Sequence, residues 1–120
     1  MIMHADLTRI IIGCFYKVYN ELGYGFLEQV YEKALEHELR KQGLSTQRQV
    51  PISVYYDNIV VGEYFADILV EDKVILELKA TDGISRLHEA QLMNYLKATN
   101  MRVGLLLNFG REATYRRRIL

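Results

Sequence analysis

Two opposite charges, Glu77 and Lys79, stand two positions apart inside the otherwise apolar run VILELKA at 74–80, and the period of two in a strand puts both on one face. An ionised carboxylate or ammonium costs several kcal/mol to bury unless it is paired or binds a metal. A second carboxylate, Asp67, interrupts the apolar stretch at 64–70 in the same way. For strands joined by a turn centred on Asp72, Asp67 and Glu77 each lie five residues from that centre. Pairing across the turn therefore gathers two carboxylates and a lysine at one spot. Carboxylates that close raise one another's pKa unless a divalent cation sits between them, and Mg²⁺ takes carboxylate oxygens, a backbone carbonyl and waters. The carbonyl of Leu78 is placed to be one such ligand, and Lys79 to hold or deprotonate a water that attacks phosphorus. These are the parts of metal-assisted phosphodiester hydrolysis, with Mg²⁺ or Mn²⁺ as the ion. A buried structural ion pair, Lys79 with Asp67 or Glu77, is the alternative reading of the same charges.

The elements that must position these residues follow from the hydrophobic pattern. Ile11, Cys14, Phe15, Val18 and Leu22 have the spacing of an amphipathic helix, with Asp6 or Thr8 as its cap and Gly23 at its end. A second helix is expected over 27–42, ending at Gly43. The segment from 45 to 80 is rich in Val, Ile, Tyr and Phe, with turn signals at YDN and EDK. It reads as three antiparallel strands near 48–56, 59–70 and 73–79, with Pro51 marking the first as an edge or a bulge. A helix over about 85–99 follows, capped by Ser85 with His88 or Glu89 nearby. MRVGLLLNFG is a nearly all-apolar strand of the kind covered on both faces. The tail REATYRRRIL reads as a last strand, with a short helix as the alternative. The chain is one α/β domain over 1–120, in the order α-α-β-β-β-α-β-(β).

Composition sets the context. With 120 residues, 50% of them hydrophobic and 25% charged, the chain has enough apolar side chains for one core. Its single cysteine, Cys14, has no internal disulfide partner, and no apolar run reaches the roughly 18 residues needed to span a bilayer. Asp6 and Arg9 interrupt the N-terminal segment where a signal peptide needs an apolar stretch, so a reduced, cytoplasmic protein is expected. His4, His37 and His88 have no Cys or His partner at zinc-ligand spacing. The formal net charge is zero, so contact with a polyanion must come from a local patch. Arg111, Arg116, Arg117 and Arg118, with Arg86 at the start of the third helix, are the candidates.

The charged positions also carry a resemblance. Asp67, nine residues, then Glu77-Leu78-Lys79 resembles the Asp…(Asp/Glu)-x-Lys signature of the PD-(D/E)XK nuclease superfamily. Gln91 and Tyr95 resemble the Gln-x-x-x-Tyr element of its exonuclease-like branches. GFLEQVY, from Gly25 through Glu28 to Tyr31, is similar to the motif for which the GxxExxY family is named. Ala66 stands where the superfamily's name has proline, whose side chain has no part in the chemistry. The resemblance implies a restriction-endonuclease-like core, a mixed β-sheet flanked by helices. It implies Asp67 and Glu77 as metal ligands, Lys79 as the residue that positions the attacking water, and Glu28 as a helix-borne acid for a second metal or water. Gln91 would orient Lys79 or the phosphate, with Tyr95 one turn further on the same face. The expected partners are nucleic acid, DNA more than RNA and without strong sequence specificity, and a second copy of the chain in a homodimer; no membrane is expected. The alternative is a non-catalytic nucleic-acid- or protein-binding module that keeps the fold.

Overall fold

The structure, a computed structural model, describes residues 3–120. Two helices, α1 (Ala5–Leu22) and α2 (Glu28–Lys41), precede strands β1 (Thr46–Tyr56), β2 (Ile59–Val70) and β3 (Val74–Lys79). Helix α3 (Arg86–Thr99) then leads to β4 (Val103–Phe109) and β5 (Ala113–Ile119). The five strands form one sheet in the order β1-β2-β3-β4-β5. All neighbours run antiparallel except β3 and β4. A parallel pair needs a crossover, and α3 supplies it.

The tight hairpins follow from local chemistry. Asp57 and Asn58 between β1 and β2, and Glu71 and Asp72 between β2 and β3, all have positive φ. Two such residues in a row suit the right-handed twist of the flanking strands. Asp and Asn tolerate that conformation, whereas Glu71 is held in it by bonds to Ser45, whose N–H donates to the Glu71 carboxylate at 2.7 Å. Pro51 lies in β1, the edge strand, where its missing N–H interrupts no inner ladder.

The sheet is covered on both faces. α1 and α2 bury Ile11, Phe15, Val18, Tyr31 and Leu35 against Ile68, Leu76 and Leu105. On the other face, Leu92, Tyr95 and Leu96 of α3 pack on Ile52, Leu69, Ile75 and Leu106. All seven residues of β4 are buried, as its nearly all-apolar sequence requires. Gly104 is where α3 seats: a Cβ there would lie 2.7 Å from Leu92 Cδ1, so any side chain forces the Leu92 side chain to shift. α1 starts earlier than its polar residues suggest, after His4 and without a side-chain cap. The Thr8 hydroxyl donates to the Ala5 carbonyl instead, inside the first turn. At α3 the cap is reciprocal: His88 N–H donates to Ser85 Oγ, and Ser85 N–H to His88 Nδ1.

Candidate functional site

The β2–β3 ladder pairs Val70 with Val74 and Ile68 with Leu76, and stops there. One step further the same register sets Asp67 opposite Glu77. The strands part at this point, and the Asp67 side chain takes over from the ladder: its Oδ2 accepts the Leu78 N–H at 2.7 Å. The N–H and C=O of one strand residue point the same way, so the Leu78 carbonyl is also turned toward the opening between β2 and β3. Glu77 is 5% exposed, and its Oε1 has no hydrogen-bond partner among the described residues. Burial first, then the Asp67 carboxylate beside it, push the Glu77 carboxyl up to about 9, against a smaller downward pull from Lys79. Near neutral pH this acid holds its proton unless a cation displaces it. Lys79 ends β3 on the Glu77 face, half-buried, and is in none of the ion pairs of the described residues.

The far end of β3 is fixed by a residue that the sequence did not single out. Asn108, 1% exposed, accepts the Thr81 N–H with Oδ1 and donates from Nδ2 to the Thr81 carbonyl, both at 3.0 Å. Asn108 lies level with Lys79 in the parallel ladder, so the clamp sets where the lysine leaves the sheet. Gly110 belongs to the same device, since a Cβ there would fall 2.0 Å from the Thr81 carbonyl oxygen. The signal available was one amide inside the buried apolar strand.

Both helical layers reach this opening. From α3, Gln91 Nε2 donates to the Tyr95 hydroxyl at 2.9 Å. Burial and then the charge of Glu77 raise the Tyr95 pKa. From α2, Glu28 is the first helical residue and is exposed, with no side-chain hydrogen bond among the described residues. One turn on, Glu32 is 7% exposed and faces the site. Gln49 Nε2 donates to both Glu32 oxygens, at 3.1 and 3.2 Å, and lies 3.4 Å from Asp67 Oδ1. Burial raises the Glu32 pKa, the Gln49 bond opposes it, and Asp67 adds to the rise.

Gln49 has φ 54, in the left-handed region, and is passed over in the β1–β2 ladder between the pairs Arg48–Ile68 and Val50–Ala66. A non-glycine residue so held inside a strand is strained, and this one points its amide between two carboxylates. Glu32 could have been noticed as the residue one turn beyond Glu28 on the same helical face; nothing in the sequence marks Gln49. The tyrosine of GFLEQVY has an architectural part. Tyr31 donates to the Gly23 carbonyl at 2.6 Å, accepts the Phe26 N–H, and stacks on Phe109, fixing the loop that delivers Glu28. Gly25, in that loop, has φ 109, which favours glycine.

The donors present are hard oxygens: two carboxylates and a backbone carbonyl. No group of three His, Cys, Asp or Glu side chains capable of holding a metal ion occurs among the described residues. The unpartnered, buried Glu77 Oε1 facing Asp67 nevertheless fits a small divalent cation, whose charge would offset what burial costs this pair.

The arginines do not form one patch. Alternation along β5 sends Arg117 to the α1 side, where it bonds the Met3 carbonyl, and Arg118 to the α3 side, where it pairs with Glu89. Arg111 lies 3.7 Å from Asp82, and Arg86 opens α3, exposed. Arg116 is different. The registers Glu77–Leu106 and Leu106–Arg116 place it in the same cross-strand row as Glu77, on the α3 face.

A family model described as PD-(D/E)XK nuclease superfamily matches residues 5–119. No curated protein matches. Among solved structures, an alkaline exonuclease (LHK-Exo) from Laribacter hongkongensis is similar with a TM-score of 0.58 at 11% identity, over 99% of this chain and 72% of that one. The crystal structure of SSO0001 is similar with a TM-score of 0.55 at 16% identity, over 97% of this chain. The chain spans 59% of the length of SSO0001. At these identities the likeness is one of fold.

Proposed function

The chain belongs to the PD-(D/E)XK nuclease superfamily, and from that premise we propose that it is a metal-dependent nuclease hydrolysing phosphodiester bonds in nucleic acid. The observation that carries this reading is the buried Glu77 carboxyl, with one oxygen unpartnered, facing Asp67 where β2 and β3 part. A buried carboxylate oxygen without a partner is uncommon in a purely structural core. In the proposed mechanism Asp67, Glu77 and the Leu78 carbonyl hold Mg²⁺ or Mn²⁺. The bound ion supplies charge neutralisation at the phosphoryl oxygens and a more acidic water.

The chain's own residues do the rest. Lys79, on the face of Glu77 and free of ion pairs among the described residues, directs the attacking water and takes or shares its proton. Gln91, braced on Tyr95, orients the lysine or a phosphate oxygen. Glu32, with Glu28 at the helix start above it, supplies further acid for a second ion or a water, and Gln49 aligns Asp67. Arg116, two strands from Glu77 or roughly 10 Å away, meets a neighbouring phosphate. The finer parts of the proposal are a GxxExxY-type member acting as one domain over 1–120 in the cytoplasm, as a monomer or homodimer, on DNA more than RNA and without strong sequence specificity.

A binding module that keeps the fold without turnover is the second reading, favoured by the lack of a preassembled three-acid group among the described residues. Incubation of the purified protein with single- and double-stranded DNA and RNA separates the two. Cleavage is expected with Mg²⁺ or Mn²⁺, and is expected to stop with EDTA and in Asp67→Ala. Survival of every substrate with the metal-loaded wild type supports the binding module.

A further inference from the structure

A groove of about 800 Å³ runs between α3 and the β1–β2 hairpin. Tyr55 and Tyr64 form its hairpin wall, Leu87 and Lys97 lie along its helical wall, and Gln91 and Tyr95 stand where it meets the acid site. We propose that this groove is a binding track for single-stranded nucleic acid, whose bases lie on the tyrosines and which leads the strand to Asp67 and Glu77.

The charge of the groove points to an anion with flat apolar faces. No Asp or Glu is among its lining residues, in a chain that has 15 of them. Lys97 and His88 lie along it instead. His88 Nδ1 accepts the Ser85 N–H, so Nε2 carries the proton of the neutral ring and is left to donate. Asn94 adds an amide with both donor and acceptor groups.

Aromatic surface is ready for stacking. Tyr55 is 64% exposed and Tyr64 45%. The Tyr64 ring lies over Gly62, where a Cβ would come 3.0 Å from its Cε2, and is tilted against Tyr95 at 5.6 Å between centroids. Held between a glycine and a second ring, Tyr64 presents a fixed platform rather than a mobile side chain. Every base has a π-face, so stacking here is sequence-tolerant.

A duplex fits these walls poorly. Its bases are hidden from stacking, and it offers the protein a dense phosphate surface that calls for several cations. This groove has one, Lys97, beside apolar Val54, Val61 and Leu87.

The inference deepens the nuclease reading, on which it rests for what happens at the end of the track. Binding, however, is measured without turnover. Fluorescence anisotropy in metal-free buffer would compare one labelled single strand, as DNA and as RNA, with the duplex of the same sequence. Single strands are expected to bind about tenfold or more tighter than duplex; Tyr64→Ala should weaken them about tenfold and Tyr64→Phe little. Lys97→Glu, at an exposed helix position, should weaken them and flatten the salt dependence. Duplex bound as tightly as single strand, no binding at all, or equal affinity in wild type, Tyr64→Ala and Lys97→Glu would overturn the track. Tight single-strand binding without cleavage leaves the track standing and removes the nuclease reading; cleavage indifferent to Tyr64 does the reverse.

Discussion

Replacing Lys79 with methionine is expected to lower the cleavage rate about 10²- to 10⁴-fold, the contribution typical of a positioned proton-transfer group, while nucleic-acid binding stays within a few-fold of wild type. Methionine keeps an unbranched apolar stem as far as Cε, with sulfur in place of Cδ, and removes the charged nitrogen. Lys79 is half-buried at the end of β3 and makes no ion pair among the described residues, so its loss leaves no buried carboxylate newly unpaired. Stability should therefore hold while turnover falls. Single-turnover rates and anisotropy on the same preparations provide the check. A variant that cleaves as fast as wild type would take Lys79 out of the reaction, and a parallel fall in binding and cleavage would make it a substrate contact.

Glu77→Gln is expected to change how stability depends on pH. In the metal-free folded protein the Glu77 carboxyl is pushed up to about 9, from an ordinary value of 4.5. Between those limits the unfolded chain has released this proton and the folded chain retains it, so raising the pH favours unfolding. The loss is at most about 1.4 kcal/mol per pH unit. It begins above the unfolded value and levels off beyond the folded one. Glutamine has no proton to lose, so the variant should be the more stable protein at mildly alkaline pH, by a few kcal/mol on this order-of-magnitude scale. Glu32, also raised by burial, leaves both proteins a common residual slope. Denaturant titrations across the window in EDTA measure the difference between the two curves. If the two curves run parallel, Glu77 ionises as easily in the folded protein as in the unfolded chain. The description of its surroundings is then wrong.

The parts of this account that were legible in the sequence are those that depend on local order. Counting from the EDK turn placed Asp67 opposite Glu77 because a short hairpin fixes register on both sides, and the observed pairs Ile68–Leu76 and Val70–Val74 keep that register to one step short of the two acids. Ser85 and His88 marked the start of α3 because a capping box needs only three residues of spacing. The nearly all-apolar run of β4 announced a strand covered on both faces. The mixed sheet flanked by helices, expected from the order of elements and from the resemblance, is the fold found.

What the sequence did not show depends on contacts between distant segments. Asn108 reads as one polar residue in a strand until Thr81, 27 residues away, is seen in its grip. Gln49 looks like any strand residue, because its left-handed backbone is set by the surroundings and not by its type. The acid of α2 that bonds toward Asp67 through Gln49 is Glu32; Glu28, whose motif drew attention, is exposed at the helix start. The run Arg116 to Arg118 reads as a cluster in one dimension, and alternation along β5 divides it between the two faces of the sheet.

The central claim is that Asp67 and Glu77 form a divalent-cation site, and calorimetric titration of Mn²⁺ into the wild type and into Glu77→Gln, at mildly alkaline pH and in two buffers of different ionisation enthalpy, tests it most directly. The wild type is expected to bind the ion and to release close to one proton per site, since the cation must displace the proton that Glu77 holds up to about 9. Glu77→Gln should show neither the affinity nor the proton release. A wild type that takes up no metal, or two proteins that bind it alike and release no proton, would contradict the account.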